Sequence, residues 1–262
     1  MLREPAVAGA FYPADPEDLR NLVARLLAGV PAERAAPPRA VVAPHAGYVY
    51  SGTVAAYAFK ALAPYAGARP VVWLLGPAHY VAFEGVSTGP FTAWATPLGE
   101  VPVATDRVAR LLAKGPPFVE LAEPHLAEHS LEVELPFLQV VLGGFSLVPL
   151  LFGTADPLAA APRIQEVLEP GDLIVVSTDL SHYHPDEAAR RIDAETLDRA
   201  LHLDAEGVLD SEACGRHPWA ALTAIARELG WRPRLLAYGT SGDVSGDRRR
   251  VVGYAALRYD AP

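Results

Sequence analysis

Residues 173–179 read LIVVSTD, an unbroken apolar run that ends at Ser177, Thr178 and Asp179. A short run without polar alternation predicts a strand buried on both faces, as in the parallel sheets of α/β proteins. Three further runs of this kind end at polar or small residues, at positions 40–43, 71–75 and 147–152. We therefore expect these four segments to form the centre of a mainly parallel sheet.

Helical segments separate these runs. Asp15 is a good N-cap residue, Pro16 suits the first helical position, and an apolar face with helical spacing continues as far as Gly29. Further helices are predicted near residues 52–63, 105–114, 130–142, 157–168, 186–201 and 217–229. The alternation of strands and helices predicts an α/β fold, a three-layer sandwich whose mainly parallel central sheet is flanked by helices.

The remaining segments predict additions to this core. Residues 84–105 carry Gly, Pro and Thr at turn spacing, which indicates an inserted hairpin. Residues 235–238 and 251–258 indicate two final strands joined by a loop at 239–247. The Ala/Pro-rich linker at 31–38 is too short to separate domains, so we expect one domain over residues 1–262.

Composition and charge exclude several function classes. The 262 residues carry a formal net charge of −9 without a basic patch, and the basic run at 248–250 leads directly into an apolar strand. We therefore expect no nucleic-acid partner. The single cysteine, Cys214, rules out an internal disulfide and favours a reducing compartment. No apolar signal core or membrane-spanning run is present, so we expect a cytoplasmic protein without a membrane partner.

Ligand-type side chains follow three of the predicted strands. His45 follows the first run, His79 the second, and Asp179 with His182 the fourth. One histidine after a strand is more often a structural residue, but ligands bind in α/β sheets at the carboxyl ends of strands. Three such positions therefore predict one pocket. Imidazole and carboxylate groups are the usual ligands of Zn and Fe(II).

Other spacings leave alternatives open. Asp179 and His182 are three residues apart and would share a face on a helical first turn, or Asp179 would act only as an N-cap. His125 and His129 are four apart, as two metal-binding histidines on a helix can be. Alternatively, His129 lies just before a helix capped by Ser130, where it suits an acid/base role.

The sequence Cys214-Gly215-Arg216-His217-Pro218 forms a turn that starts a helix. Cys214 is either a nucleophile with His217 as its base or, more commonly for a lone cysteine, a buried structural thiol. Neither GxGxxG nor a P-loop occurs, so the sequence gives no support for nucleotide binding.

Ordered motifs along the whole chain resemble one family. They are Ala8-Gly9-Ala10-Phe11-Tyr12-Pro13, Pro44-His45-Ala46-Gly47-Tyr48, Leu75-Gly76-Pro77-Ala78-His79, Glu128-His129-Ser130-Leu131-Glu132, Ser177-Thr178-Asp179-Leu180-Ser181-His182, Cys214-Gly215-Arg216-His217-Pro218, Tyr238-Gly239-Thr240-Ser241-Gly242-Asp243 and Val252-Gly253-Tyr254-Ala255-Ala256. With these motifs the sequence resembles the Memo family, named AmmeMemoRadiSam system protein B in prokaryotes.

The resemblance implies a fold like that of the class III extradiol dioxygenases, which are non-haem Fe(II) enzymes that open catechol rings. It also implies that His45 and His79 bind the metal, with Asp179 and His182 as the remaining pocket residues and His182 near the catalytic base. In animal members a cysteine in the C-terminal loop completes the metal site. In our alignment Val244 occupies that position, beside Asp243.

Two main hypotheses follow. In the first, a divalent transition metal, Fe(II) before Zn or Cu, supports an oxidoreductase of the extradiol dioxygenase type acting on a small aromatic substrate. His182 is then the general acid/base, oriented by Asp179 and assisted by His129. In the second, the pocket is a non-catalytic module that binds a peptide or protein. Metal-dependent hydrolysis is a third alternative, and the family name suggests a pathway shared with a radical-SAM protein.

Overall fold

The structure, a computed structural model, describes residues 1–31 and 35–262. Residues 32–34, in the middle of the predicted linker at 31–38, lie outside the described residues. The strands are β1 (Leu2–Arg3), β2 (Ala40–Ala43), β3 (Val71–Pro77), β4 (Val86–Ser87), β5 (Ala93–Thr96), β6 (Gly99–Pro102), β7 (Phe118–Val119), β8 (Ser146–Phe152), β9 (Leu173–Ser177), β10 (His182–His184), β11 (Arg232–Thr240) and β12 (Val251–Asp260).

The helices are α1 (Pro16–Ala28), α2 (Tyr48–Lys60), α3 (Thr105–Leu112), α4 (Glu123–Leu126), α5 (Leu135–Leu142), α6 (Pro157–Gln165), α7 (Asp186–Leu201), α8 (Ala205–Leu209), α9 (Arg216–Glu228) and α10 (Ser241–Ser245). Asp15 caps α1 as predicted, because its side chain accepts the N–H groups of Glu17 and Asp18. The predicted loop at 239–247 contains α10, which a capping box between Thr240 and Asp243 starts.

The four predicted strands lie side by side as parallel neighbours, in the order β2-β9-β3-β8. They are nearly free of solvent contact, as continuous apolar runs require. Further strands extend the sheet on both sides. Beyond β2 lies β12, which pairs antiparallel with β2, β10 and β11. Beyond β8 lies β4, which pairs antiparallel with β8 and parallel with β7. The hairpin expected in residues 84–105 is present as β5 and β6, and β5 also pairs with β1, which gives a separate three-stranded sheet.

Two groups of helices cover the sheet. Helices α1, α2 and α5 pack together, with α2 against β2, β11 and β12. Helices α6 to α9 form the other group, in which α9 contacts β3 and β9. The predicted three-layer α/β sandwich with a mainly parallel central sheet is therefore confirmed. Within the described parts of the chain, no helix combines the length and apolar character needed to cross a bilayer.

Candidate metal centre

Three imidazoles converge at the edge where the parallel strands end. His45 follows β2, His79 follows β3, and His129 lies in the connection between α4 and α5. The ring centroid of His45 lies 5.2 Å from that of His79 and 5.4 Å from that of His129, and His79 stacks on His129 at 4.7 Å. One nitrogen from each ring lies within 4.8 Å of the other two. We call these residues the histidine cluster.

Hydrogen bonding fixes which nitrogen of His45 carries its proton. His45 Nδ1 lies 2.6 Å from Ser177 Oγ, and the Ser177 hydroxyl also lies 2.6 Å from the carbonyl oxygen of Ser130. A carbonyl oxygen only accepts, so Ser177 gives its single proton to Ser130 and Nδ1 of His45 must donate to Ser177. The lone pair of His45 is therefore on Nε2. Burial, and then the neighbouring histidines, lower the pKa of His45 well below its usual value, which keeps the ring neutral.

Glu128 orients His79. Its carboxylate accepts Nδ1–H of His79 at 2.9 Å and the backbone N–H of the same residue at 2.6 Å. Burial by itself raises the pKa of Glu128, but the hydrogen bonds from His79 outweigh it and lower the pKa to about 2. Glu128 also accepts the N–H groups of His129 and Ser130. One carboxylate thus holds two of the cluster histidines, with Nε2 of His79 left free.

His129 is a neutral member of the histidine cluster. Burial lowers its pKa to about 4, although Glu128 opposes this change. The ring of Phe11 packs on the His129 ring with 4.7 Å between centroids. The N-terminal segment therefore closes one side of the cluster.

Cys214 lies beside the histidine cluster, on the side of α9. Its Sγ lies 3.3 Å from Nε2 of His45, and it accepts the backbone N–H of Asp179 at 3.2 Å. This close approach depends on Gly215, where an added Cβ would lie 2.5 Å from Thr178 Cβ. Burial, and then Asp179, raise the pKa of the thiol to about 12. Without a cation beside it, Cys214 is therefore a protonated thiol rather than a nucleophile.

Asp179 lies beneath the cluster but does not hold His182. Its Oδ1 accepts the backbone N–H of His45 at 2.9 Å. Burial raises the pKa of Asp179 to about 7, against the opposing effect of the N–H groups of His45 and Ala46. The expectation that Asp179 and His182 share a helical turn is wrong, because the chain runs on after β9 without a helix and His182 begins β10. No described hydrogen bond joins these two side chains.

His182 lies near the histidine cluster without belonging to it. It is close enough to affect the electrostatics of both His45 and His79. Burial lowers its pKa, and a hydrogen bond to the backbone of Leu180 partly opposes this. A half-buried neutral imidazole at this position can accept a proton from a ligand bound beside the cluster.

Several other sequence-based candidates lie elsewhere. His125 is buried between Trp94 and Ser87, so it does not pair with His129 on one helix face. Asp243 is held by Arg190 and by the capping box of α10, and the Val244 side chain is mostly exposed on the same helix. The cysteine close to the cluster is Cys214, which comes from a different motif than our alignment suggested.

A cavity of about 510 Å³ opens beside the cluster. His79, Tyr80 and Cys214 line one part of it, and Arg216 and His217 line another. Burial, and then the Arg216 guanidinium, lower the pKa of His217. The cavity is large enough for a small aromatic molecule, and His79 and Cys214 give it direct contact with the cluster.

These residues fit a transition metal. Neutral imidazoles and one sulfur are ligands that Zn, Cu and Fe(II) accept. Ligand atoms that share one such ion, at roughly 2.0–2.3 Å each, lie roughly 3–4 Å apart. The 3.3 Å between His45 Nε2 and Cys214 Sγ is within that range, and the 4.8 Å limit on the histidine nitrogens exceeds it by less than 1 Å. The structure thus contains a set of nitrogen donors, with sulfur close by, that can hold one divalent ion.

Two supporting residues, Glu128 and Ser177, could not be assigned a role from the sequence, and a third, Cys214, was assigned a different one. Glu128 directly precedes His129, and Ser177 ends β9, so each stands beside a candidate without looking like a ligand itself. For Cys214, sequence alone favoured a structural thiol. The available signal was that all three stand in motifs that also contain a candidate histidine or aspartate.

The fold and site define an α/β protein with a histidine cluster at the carboxyl ends of its parallel strands. The model of the family described as Memo-like protein matches residues 3–258. The chain therefore belongs to the Memo-like family.

The curated relatives are similar over their whole length. The chain is 38% identical to MEMO1 family protein MK0963 of Methanopyrus kandleri, with 99% of each sequence covered. It is 38% identical to a MEMO1 family protein of Sulfolobus acidocaldarius, again over 99% of both, and 39% identical to one of Methanosarcina acetivorans over 98% of both. The solved structure of an uncharacterized Escherichia coli K12 protein has a TM-score of 0.47 at 13% identity, covering 84% of this chain and 98% of that one.

Proposed function

We propose that this protein is a metal-dependent oxidoreductase of the extradiol dioxygenase type. His45 and His79 hold one divalent transition metal, Fe(II) in the active form, and His129 and Cys214 lie within reach of the same ion. The observation that supports this most directly is the convergence of three imidazole nitrogens within 4.8 Å, beside the carboxyl ends of the parallel strands β2 and β3. Glu128 and Ser177 support it, because each fixes a ligand histidine through its second nitrogen.

Bound Fe(II) would supply the one-electron chemistry that lets dioxygen react with an aromatic diol. The protein supplies binding and proton transfer. The cavity beside His79 receives the ring, and neutral His182 accepts a proton from a ring hydroxyl. His129, whose ring stacks on His79, assists as a second proton acceptor. Because Asp179 bonds to the backbone of His45, its role in this proposal is to position that ligand.

Metal analysis after anaerobic purification, followed by oxygen uptake with a series of catechols, tests the proposal. We expect about one transition metal per chain and its loss in the His45→Ala/His79→Ala double variant. His182→Ala should retain the metal and lower oxygen uptake by about 10²–10⁴-fold, as loss of a general acid/base does. His202→Ala is the matched control, because His202 is a largely exposed histidine on the surface of the protein. Equal uptake in wild type and His182→Ala would exclude the assigned role of His182.

A second candidate function is a peptide- or protein-binding module that uses the same pocket. Exposed aromatic side chains favour it. Tyr80 and Tyr183 directly follow His79 and His182 and expose 57% and 62% of their surfaces. Tyr183 also has a left-handed backbone, with φ of 62°, which is uncommon for a residue other than glycine. A protein without transition metal that binds peptides with unchanged affinity after chelation would favour this module over the enzyme.

A further inference from the structure

A buried acid that takes no part in the chemistry above lies one side chain away from His45. Glu134 is fully buried, and neither of its carboxyl oxygens has a hydrogen-bond partner of good geometry among the described residues. Its carboxyl group lies against the Ser177 side chain. Ser177 is the residue that receives the His45 Nδ1 proton, so Glu134 is the next group in the same chain of contacts.

The hydrogen bonds of Ser177 determine the protonation state of Glu134. The Ser177 hydroxyl has one proton, which it gives to the Ser130 carbonyl, and it accepts one proton from His45. It has no proton left for Glu134 but still has one acceptor position. An ionised Glu134 would then be a buried anion without a donor, which is far more costly than a neutral acid.

We propose that Glu134 is held as a neutral carboxylic acid that donates to Ser177 Oγ, and that this bond holds the Ser177 hydroxyl in the orientation in which it donates to Ser130 and accepts Nδ1–H of His45. Burial, and then the nearby Asp179 carboxyl, raise the pKa of Glu134 well above its usual value, in agreement with this assignment. Glu134 is a positioning residue, since it acts on the cluster through Ser177. Its effect on metal binding rests on the proposed function, but its protonation state does not.

The first test needs no metal. The infrared spectrum of the wild-type protein at neutral pH should contain a carboxylic acid C=O band that is absent from Glu134→Gln. Glu100→Gln is the control, because Glu100 is exposed in β6. It should retain the band. A wild-type spectrum without a band that Glu134→Gln removes would overturn the proposal.

The second test measures the consequence at His45. Glu134→Gln retains a neutral donor, whereas Glu134→Leu removes it at similar volume. Nitrogen-15 NMR should show His45 protonated on Nδ1 in wild type and Glu134→Gln, and a mixture of tautomers in Glu134→Leu. Zinc affinity should change in the same way. Glu134→Gln should stay within about twofold of wild type, and Glu134→Leu should bind zinc about tenfold more weakly, which is the lower end of the range for residues that orient a metal ligand.

The outcomes separate this inference from the metal proposal. If wild type binds no metal but the infrared band and the His45 tautomer behave as described, the proposed function fails and the assignment of Glu134 holds. If Glu134→Leu has the wild-type tautomer and the wild-type zinc affinity, the positioning role is excluded. If Glu134→Leu does not fold, the comparison of wild type with Glu134→Gln by infrared and NMR still decides the protonation state.

Discussion

His125 and His129 lie four residues apart, and both are buried histidines whose pKa is lowered to about 4, chiefly by burial. Their surroundings differ. His125 contacts the rings of Phe91 and Trp94 edge-on, and its Nε2 lies 3.0 Å from Ser87 Oγ. His129 instead faces two other imidazoles. A lowered pKa therefore marks burial, whereas the convergence of several donor atoms marks a candidate site.

The regions around these two histidines use charge in opposite ways. Around His125, the buried Arg3 guanidinium pairs with the buried Glu132 carboxylate and lies over the Trp94 ring. We call Arg3, Trp94, His125 and Glu132 the Arg3 cluster. The charges of the Arg3 cluster compensate each other within the protein, whereas the histidine cluster has converging nitrogen donors that can hold a positive ion. Substitutions in the Arg3 cluster should therefore reduce stability, and those around the histidine cluster should reduce metal affinity.

The largest effect is expected from Arg3→Met. Removing the guanidinium leaves the Glu132 charge buried without its partner, which costs about 3–5 kcal/mol of unfolding free energy. Denaturant unfolding measures the loss. Arg191→Ala is the control, because the exposed Arg191–Glu195 pair should contribute at most about 0.5 kcal/mol. A loss below about 1 kcal/mol in Arg3→Met would contradict the structural role of this ion pair.

A somewhat smaller change in stability is expected when the pH is lowered, because His125 is buried as a neutral imidazole. Its folded pKa of about 4 lies below the unfolded value of 6.5, so the unfolded chain binds a proton that the folded chain does not. The stability contributed above pH 6.5 is thus lost as the pH falls towards 4, by about 3 kcal/mol. His125→Gln should have a shallower dependence on pH over this range. Equal slopes in unfolding experiments between pH 7 and 4 would contradict the assignment.

At the histidine cluster, Glu128→Gln should weaken metal binding by about 10–100-fold, because the second nitrogen of His79 loses its carboxylate partner. Calorimetric titration with zinc measures this change. Glu100→Gln, at an exposed position in β6, serves as the control. Unchanged zinc affinity in Glu128→Gln would show that His79 needs no such support or is not a ligand.

The fold could be predicted from the sequence because the features that indicate strands and helices are local. Continuous apolar runs predicted the central strands β2, β3, β8 and β9, and Asp15 marked the start of α1. The sequence also indicated which strand ends carry histidines. It did not predict the path after Asp179, where a spacing of three suggested a helical turn.

The supporting contacts of the site could not be predicted in the same way. His45, Ser177 and Cys214 are far apart in the chain, and their contacts depend on strand order and on the position of α9. Contacts between residues so far apart in the chain cannot be derived from a single sequence. Glu128 was difficult for another reason, since the features that mark it are its burial and the several N–H groups directed at it, and neither can be read from the sequence.

The smallest effect tests whether the two clusters are separate. The hydroxyl of Tyr12 donates to Glu132, which retains Arg3 and the N–H groups of Ala6 and Val7 when that bond is removed. Tyr12→Phe should therefore cost about 1 kcal/mol of unfolding free energy, the usual contribution of one hydrogen bond. Zinc affinity should stay within about twofold of wild type, because no atom of the histidine cluster is touched.

Phe11 makes this test informative. It directly precedes Tyr12, and its ring packs on His129, so movement of the N-terminal segment would be transmitted to the histidine cluster. Measuring unfolding and zinc binding on the same Tyr12→Phe sample separates the two results. A tenfold loss of zinc affinity together with a loss of only about 1 kcal/mol in stability would show that the Arg3 cluster positions His129 and that the two regions act as one unit.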